Sequence, residues 1–327
     1  MKAFKMAQPT TLEGARAVGA DSFDGSAFLA GGTDLVAMLK EYVATPDMVV
    51  NLKGIAALRG IRATERGIEI GALTTLAELG ADDAVASGWP AIRTTIERSA
   101  TPQVRNVATV AGNLCQRPRC HFFRNEHYEC AKRGGEGCYA RESVHEHHAI
   151  FDNAVCSAPH VSNLAPVLIA YDALVEIATE GGPKTMPVGE FFVGPVKDVR
   201  RENVLGPRDL VTAIILPAAG RNPKSAYVEA RQKQSYDWAL AGATASLRLA
   251  EDGTVADCRI VLNAVAPTPL RRPDLEARIK GKKLTEGRLN EVCEAAAEGA
   301  TPLRDNAYKT IMVKAVLRRA LRRAMEA

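Results

Sequence analysis

The amino-acid sequence predicts an α+β fold with a smaller second domain at its C-terminal end. In the N-terminal part, short β-branched runs alternate with helical stretches, and three strands followed by helices make up the remainder. A chain of 327 residues, with 46% hydrophobic and 24% charged residues, is long enough for two domains and has the composition of a globular protein. We expect the domain boundary in the turn-rich segment 217–224.

The N-terminal part contains strands recognised by their β-branched residues and flanking turns, at 26–30, 48–52, 67–71, 174–178 and 210–216. Helices are expected between them, at 35–41, 73–79, 89–100 and 163–172. Thr74 or Thr75 is suited to cap the second of these helices. Pro90 suits the first turn of the third helix. This alternation indicates a domain built from more than one layer of strands and helices.

The C-terminal part is expected to contain strands at 225–231, 241–249 and 258–265 and helices after them. The last helix has one apolar face at helical spacing, made of Val313, Val316, Leu317, Ala320, Leu321 and Ala324. Its opposite face is basic and carries Lys314, Arg318, Arg319, Arg322 and Arg323. Two interpretations of this basic face stay open, a solvated helix surface and a contact with an acidic partner.

The charge balance and the N-terminus exclude several classes of protein. The net charge is only +4, without the wide basic field interleaved with aromatics that is typical of nucleic-acid binding. No apolar run approaches the ~20 residues of a membrane span. The first residues contain no hydrophobic core followed by a cleavage site, so we expect a cytoplasmic protein. In that reducing compartment, clustered cysteines indicate metal or redox chemistry rather than disulfides.

Two small-residue segments have the composition of ligand-binding turns. The first, AGGTDL at residues 30–35, lies between a predicted strand and a predicted helix, where glycines let the backbone approach a diphosphate closely. The second spans 101–113, where Thr109 and Asn113 offer side-chain hydrogen bonds and Arg105 can pair with an anion. Neither segment is a Rossmann or P-loop motif, and each is also compatible with a turn that binds nothing. Together they are suited to hold both ends of an extended dinucleotide.

The segment 115–156 is the most unusual part of the chain. It contains five of the seven cysteines, and all six histidines lie between residues 121 and 160. The cysteines follow one another at gaps of 5, 10, 8 and 18 residues without any C-x-x-C, which disfavours zinc ribbons and thioredoxin-like motifs. Four thiolates from a long loop can hold an iron–sulfur cluster, and a Cys/His zinc site is the alternative. Basic residues that would offset the charge of the thiolates are Arg117, Arg119, Lys132, Arg133 and Arg141.

These motifs resemble a known family. AGGTDL, VRNVATVAGNL, QRPRC-x-FFR and the later Cys-x-x-x-His are similar to the FAD-binding (medium) subunits of the xanthine oxidase family of molybdenum hydroxylases. The similarity is greatest to the branch with an extra 4Fe–4S cluster, which includes the flavin subunits of aldehyde oxidoreductase and 4-hydroxybenzoyl-CoA reductase. It implies an FAD-binding domain of the vanillyl-alcohol-oxidase type at 1–220, with its Cys-rich loop at 115–156. A C-terminal domain like that of carbon monoxide dehydrogenase flavoprotein would occupy 221–327.

The resemblance also implies site residues. FAD would be bound by a group drawn from both small-residue segments and two later positions, comprising Leu29, Ala30, Gly31, Gly32, Thr33, Asp34, Arg105, Asn106, Thr109, Gly112, Asn113, Asn163 and Lys233. Cys120, Cys130, Cys138 and Cys156 would ligate the 4Fe–4S cluster, and Cys115 would not. Asn163 replaces the aspartate that is usual in the family, so a hydrogen bond is kept and a charge is lost.

The implied function is electron transfer within a heterotrimer. A large partner would carry the molybdenum cofactor and the organic substrate, and a small partner would carry two 2Fe–2S clusters. Electrons would pass between these clusters, the FAD of this chain and an external acceptor or donor, and no residue of this chain would act as a catalytic acid or base. Two alternatives remain at this stage, a self-contained flavin oxidase or dehydrogenase of the same fold and a zinc-stabilised structural module. Export of such complexes on a partner's signal also leaves the periplasm as an alternative compartment.

Overall fold

The computed structural model of the chain describes residues 1–218, 223–233 and 236–327. Half of the predicted boundary segment 217–224, residues 219–222, therefore lies outside the described residues. Two sheets precede this point and one follows it. The predicted α+β fold is confirmed.

The first sheet is parallel and ends beside the first small-residue segment. Its strands β1 (Lys5–Ala7), β2 (Ser26–Leu29) and β3 (Met48–Asn51) lie in the order β1-β3-β2. Helix α1 (Leu12–Val18) connects β1 to β2, and helix α2 (Leu35–Lys40) connects β2 to β3. The carboxyl end of β2 thus leads directly into residues 30–34. Strand β1 and helix α1 were not predicted, because both are short and β1 is mostly exposed.

The second sheet is antiparallel, and its strands come from two distant parts of the N-terminal region. Their order is β4-β5-β8-β6-β7. Their bounds are β4 (Ile61–Thr64), β5 (Gly67–Gly71), β6 (Leu174–Thr179), β7 (Gly182–Pro187) and β8 (Leu210–Pro217). The whole segment between β5 and β6, including the Cys-rich loop, is an excursion from one sheet.

Helices fill this excursion and share a hydrophobic core with the second sheet, while α5 and α8 also contact strands of the C-terminal part. Their bounds are α3 (Leu76–Ala81), α4 (Asp83–Gly88), α5 (Pro90–Arg98), α6 (Pro102–Arg105), α7 (Val110–Cys115), α8 (Leu164–Ala170) and, after β7, α9 (Val188–Phe191). Helix α3 begins at Leu76 rather than Leu73, because Thr75 and Glu78 form a capping box that fixes the first turn there. All residues of α8 are buried, which makes this helix the centre of the N-terminal core.

The C-terminal part is a second antiparallel sheet covered by helices. The strands lie in the order β12-β11-β10-β9, and helix α12 packs across β9 and β10. Their bounds are β9 (Lys224–Arg231), β10 (Ala239–Leu249), β11 (Val255–Asn263), β12 (Leu270–Arg271), α10 (Pro273–Ile279), α11 (Glu286–Glu294) and α12 (Lys309–Glu326). The third predicted strand therefore starts and ends earlier than expected. It stops at Asn263 because Ala264 adopts a positive φ of 59°, which is incompatible with a strand.

Helix α12 has the two faces that the sequence predicts. Its apolar residues are buried in the C-terminal core. On the basic face, Lys314 pairs with Glu294 and Arg322 pairs with Glu286, at N···O distances of 2.8 and 2.7 Å. These pairs stay within the domain. None of the described helices, α12 included, combines the length and the hydrophobicity that a membrane crossing requires.

The predicted loop after α7 contains two short 3-10 turns, at 131–133 and 139–141. It contains no α-helix before α8. Two glycines permit its tight course. Gly134 has a positive φ of 99°, and a Cβ on Gly135 would collide with the carbonyl oxygen of Glu129. The last two cysteines, Cys258 and Cys293, are buried free thiols in β11 and α11, as expected from the sequence.

Candidate cofactor site

The two small-residue segments, 70 residues apart in the sequence, line the same cleft. Thr33 and Asp34 form one wall, and Gly112 and Asn113 form another, around a volume of about 290 Å³. The remaining walls come from α3, the α5–α6 turn and the segments around 161–163 and 236–238. The cleft is therefore located where the N-terminal and C-terminal parts of the chain meet.

Close packing of the two segments depends on Gly31. A Cβ at this position would overlap the carbonyl oxygen of Val107 and also lie 3.1 Å from the Cα atom of Ala108. Real Cβ atoms do not approach backbone atoms so closely, so only glycine fits here without moving the second segment. Thr109 begins helix α7 by accepting a hydrogen bond from the backbone N–H of Gly112 at 3.1 Å. These contacts set the relative position of the two walls.

Asparagine side chains connect the cleft to the C-terminal part. Asn113 Oδ1 accepts a hydrogen bond from Ser162 Oγ at 2.6 Å. Asn163 Nδ2 donates to Glu229 Oε2 at 3.2 Å, and Asn163 Oδ1 lies 3.4 Å from Asn263 Nδ2. Asn163 thus takes part in a hydrogen-bond network between the two parts of the chain.

Glu229 is the buried centre of this network. Only 1% of its side chain is exposed, and it accepts hydrogen bonds from Tyr227 and Arg231 as well as from Asn163. Burial and the neighbouring Glu229 charge raise the pKa of Tyr227 well above its usual value, so its hydroxyl stays protonated and donates. Lys233, an exposed residue just after the end of β9, lines an adjoining cavity of about 660 Å³ together with Arg231.

An arginine–tryptophan pair stands at the edge of the cleft. The Arg119 guanidinium carbon lies 4.7 Å from the centre of the Trp238 ring, a cation–π distance. Both residues line the cleft and also a second cavity of about 240 Å³. Trp238 was not among the predicted site residues. Its large exposed aromatic surface, 49% of the residue, is the signal that could have identified it.

The side chains of two further predicted FAD residues, Asp34 and Arg105, form hydrogen bonds or ion pairs with other parts of the protein. Asp34 Oδ1 pairs with Arg119 and Arg124 at 2.6 and 2.7 Å, and Asp34 Oδ2 accepts the backbone N–H of Arg117 at 2.8 Å. Arg105 Nη1 donates to the carbonyl oxygens of Ala100 at 2.9 Å and Ser99 at 3.0 Å in the α5–α6 turn. It also donates to the carbonyl oxygen of Glu97, near the end of α5, at 3.4 Å. Asp34 thus anchors the Cys-rich loop, and Arg105 braces a turn.

The other predicted FAD residues have the following places. Leu29 is buried at the end of β2. Ala30 accepts a hydrogen bond from Lys53 Nζ at 3.2 Å through its carbonyl oxygen. Gly32 has a positive φ of 76°, the conformation that favours glycine. Asn106 is the C-cap of the short helix α6, within the second segment.

The four predicted cluster ligands converge within the Cys-rich loop. Cys138 lies close enough to Cys120 and Cys130 for its charge to influence both thiols. The sulfur of Cys138 also accepts a hydrogen bond from Cys156, which lowers the pKa of Cys138 and raises that of Cys156. In the protein without ligands, burial raises the pKa of Cys120 to about 11. All seven cysteines are free thiols.

Neighbouring backbone N–H groups act to lower the pKa of each of these four thiols. The donors belong to Phe122 and Phe123 for Cys120, Lys132 for Cys130, Ala140 and Ser157 for Cys138, and Ala158 for Cys156. Burial alone raises the pKa of Cys115 to about 12, and Arg201 is the group that opposes this. Hydrogen bonds to sulfur favour the thiolate form that iron requires. The backbone donors thus distinguish the four predicted ligands from Cys115.

Basic residues of the loop are held by carboxylates of the N-terminal domain. Lys132 Nζ lies 2.8 Å from Glu202 Oε1, and Arg117 Nε lies 2.9 Å from Glu202 Oε2. Burial would raise the pKa of Glu202, but the two cations outweigh it and lower the pKa below its usual value. Arg133 and Arg141 instead donate to backbone carbonyls, so their charges are not cancelled by a carboxylate in these contacts. Glu202 was missed in the sequence because its partners are 70 and 85 residues away.

Four histidines and one predicted cluster ligand line the second cavity, which has a volume of about 240 Å³. His121, His147, His148 and His160 contribute to its walls together with Cys120. Burial lowers the pKa of His160 to about 3, so this imidazole is neutral at physiological pH. Among the described residues, its Nε2 atom has no hydrogen-bond partner. The cavity thus includes a neutral, buried imidazole beside the cleft.

In the described residues, no three His, Cys, Asp or Glu side chains are arranged to hold a single metal ion. A zinc ion needs its ligands about 2 Å from one point, with thiolate sulfurs at about 2.3 Å. A four-iron cluster is larger, because each thiolate binds a different iron atom. The arrangement thus gives no support to the zinc-stabilised alternative.

Family models match both parts of the chain. Residues 2–219 match the FAD binding domain in molybdopterin dehydrogenase. Residues 225–324 match the CO dehydrogenase flavoprotein C-terminal domain. The cleft described above lies between these two matched regions.

Relatives and solved structures of this family cover nearly the whole chain. The aldehyde oxidoreductase FAD-binding subunit PaoB of Escherichia coli is 32% identical over 99% of both chains. The carbon monoxide dehydrogenase medium chain of Hydrogenophaga pseudoflava is 29% identical, over 90% of this chain and 88% of the relative. A crystal structure of Cu,Mo-CO dehydrogenase superposes with a TM-score of 0.77 at 25% identity, covering 99% of this chain and 98% of that chain. The chain therefore belongs to the FAD-binding medium subunits of the xanthine oxidase family of molybdenum hydroxylases, a family of oxidoreductases.

Proposed function

We propose that this chain binds a 4Fe–4S cluster in addition to FAD and acts as the electron-transfer subunit of a heterotrimeric molybdenum enzyme. A large partner would carry the molybdenum cofactor and the organic substrate, and a small partner would carry two 2Fe–2S clusters. Relatives described as medium chains and FAD-binding subunits support an assembly of this kind. The external electron acceptor or donor would meet this chain rather than the large partner.

One observation carries the proposal: a cluster ligand and the FAD cleft are neighbours. Cys120 lines the second cavity, the one with the four histidines. That cavity shares Arg119, Asn163 and Trp238 with the cleft between the two small-residue segments. A cluster at the four cysteines would therefore lie beside the flavin site. The two proposed sites use different segments of the chain, which supports altering each one separately.

The residues of the cleft have distinct proposed roles. Residues 29–34, Thr109, Gly112 and Asn113 would hold the diphosphate and the adjoining part of FAD, with Gly31 keeping the two walls together. Asn163 would present a neutral hydrogen-bonding group that Glu229 orients from the C-terminal part. Lys233 would add a positive charge to the adjoining cavity, whose lining otherwise balances Arg98 and Arg231 against Glu97 and Glu229. The redox chemistry belongs to the bound cofactors, and the protein sets their spacing, environment and access.

The four cysteines have a second proposed role beyond ligation. Their backbone N–H donors would adjust the reduction potential of the cluster, because hydrogen bonds to sulfur stabilise its more negative form. Arg133 and Arg141 would contribute positive charge, since the contacts of both guanidinium groups are with carbonyl oxygens. No side chain of this subunit is assigned as a catalytic acid or base, because substrate conversion would take place on the large partner.

The test is a comparison of two cysteine variants purified anaerobically with their partners. Cys130→Ser removes a proposed ligand and should abolish the iron assigned to the 4Fe–4S cluster, while most of the FAD remains. Cys115→Ser alters a half-buried thiol outside the proposed ligand set and should leave both iron and FAD unchanged. Equal iron in the two variants, or zinc in place of iron in the unaltered protein, would overturn the proposal.

A further inference from the structure

A direct contact joins one histidine to one of the four cysteines. His148 Nε2 lies 3.2 Å from Cys120 Sγ, within hydrogen-bonding distance for sulfur. His148 is 4% exposed, so water does not compete freely for this contact. The other ring nitrogen, Nδ1, has no hydrogen-bond partner among the residues that the structure describes. The ring is thus committed to the sulfur rather than to a structural carbonyl group.

The C-terminal part holds the segment that carries this histidine. Asn306 Nδ2 donates to the carbonyl oxygens of His145, His148 and Ala149 at 3.2–3.3 Å. Tyr308 and Lys309 donate to the carbonyl oxygens of the two residues in between, both at 2.8 Å. Five consecutive carbonyl oxygens are therefore fixed by residues at the start of α12. This clamp determines where the His148 ring lies.

The neighbouring His145 has a different and purely structural role. Its Nε2 accepts the backbone N–H of Asp305 at 3.0 Å, so its proton must be on Nδ1, which lies 2.8 Å from the Ala140 carbonyl oxygen. Both ring nitrogens are used, and neither reaches a cysteine. His147 is exposed and lies beside Glu146. His148 is the member of this triplet that contacts a proposed ligand.

The chemistry of the ligand fixes the direction of the hydrogen bond. A thiolate bound to iron has no proton and can only accept, so His148 must carry its proton on Nε2. A hydrogen bond to a cluster sulfur stabilises the reduced, more negative state more than the oxidised state. Removing the donor should therefore make the cluster harder to reduce.

We propose that His148 is a positioning residue that donates an N–H hydrogen bond to the Cys120 thiolate and raises the reduction potential of the cluster. This inference rests on the proposed function, because it requires the cluster to be present. It assigns a specific task to a histidine that cluster ligation does not need. It also makes the potential depend on the C-terminal clamp, since Asn306 holds the His148 backbone.

The first experiment compares His148→Leu, His148→Gln and His147→Leu in the full chain with its partners. Iron content and the midpoint potential of the 4Fe–4S cluster are measured by EPR-monitored titration. We expect a lower potential in His148→Leu, a smaller decrease in His148→Gln, whose amide can still donate, and no change in His147→Leu. Equal potentials with full iron content would overturn this inference alone. Absence of the cluster from the unaltered protein would instead overturn the proposed function.

A second measurement does not depend on the stability of any variant. Pulsed EPR of the reduced, unaltered protein, labelled with ¹⁵N in its histidines, should detect a ring nitrogen coupled to the cluster through the hydrogen bond. Matched spectra of the unlabelled protein give the background. A cluster signal without any histidine ¹⁵N coupling would contradict the assignment, even if His148→Leu fails to assemble its cluster.

Discussion

Lys132 Nζ and Glu202 Oε1 lie 2.8 Å apart with 4% and 9% of their side chains exposed, which makes them a buried ion pair between the Cys-rich loop and the N-terminal domain. Arg117 shares the same carboxylate. Loss of one partner from a buried pair leaves an uncompensated charge, which is more costly than loss of an exposed pair. The Cys-rich loop is therefore held in place by Glu202 through two cations.

Replacing this carboxylate should weaken both the fold and the loop. We expect Glu202→Gln to lower the free energy of unfolding by about 3–5 kcal/mol, because Lys132 and Arg117 lose their counter-charge. The matched control is Glu136→Gln, an exposed change in the loop itself, which should cost less than about 0.5 kcal/mol. Urea denaturation measures both values, and equal midpoints for the two variants would exclude the anchoring role.

The same carboxylate should make stability depend on pH. Its pKa in the folded protein is lowered from the usual 4.5, so its contribution is fully present above pH 4.5 and is lost as the pH falls through the lower folded value. Urea midpoints measured from neutral to acidic pH should thus decline less steeply below 4.5 in Glu202→Gln than in the unaltered chain. Parallel curves would mean that Glu202 titrates alike in the folded and unfolded states.

The clamp on the histidine segment gives a third prediction. Asn306 is fully buried, and Asn306→Ala would leave the His148 carbonyl oxygen without its donor and would remove one of the two donors to the carbonyl oxygens of His145 and Ala149. An unsatisfied buried polar group costs about 1–3 kcal/mol, so thermal unfolding should occur at a lower temperature. Amide exchange in residues 145–149 should also become faster. Asn290→Ala, on the exposed side of α11, serves as the control, and equal exchange in both variants would argue against a clamp.

Gly31 gives a fourth prediction, on FAD binding. The added methyl group of Gly31→Ala would overlap the Val107 carbonyl oxygen, so the two walls of the cleft must separate. Overpacking of this kind costs about 1–3 kcal/mol, and we expect reduced FAD content after purification. Gly287→Ala in α11 meets nothing within 4 Å and should retain FAD fully. Equal flavin absorbance in the two proteins would separate Gly31 from the cofactor site.

The sequence was sufficient for elements whose patterns are local. The apolar face of α12, the strand at 67–71 and the cap at Thr75 were all predicted, because each depends on neighbouring residues. Strand β7 was missed, since its mostly exposed residues include prolines at both ends of the sequence GPKTMP. Local propensity is weak for such an edge strand, and pairing with β6 supplies its stability.

The site was predictable in its segments but not in its contacts. The small-residue turns and the cysteines were found from composition and motif. The roles of Asp34 and Glu202 depend on partners that are 70 to 90 residues distant, and no pattern in one sequence encodes such pairings. The difference between His145 and His148 likewise depends on residues 305–309, which belong to the other domain.

The most direct test of the account is an assay of iron, zinc and flavin on one anaerobically purified sample, with its absorption spectrum. The central claim is that the four cysteines hold a 4Fe–4S cluster beside FAD. It predicts about one flavin and about four irons per chain beyond those of any partner. Flavin without iron would contradict the cluster and leave the Cys-rich loop with a structural role only.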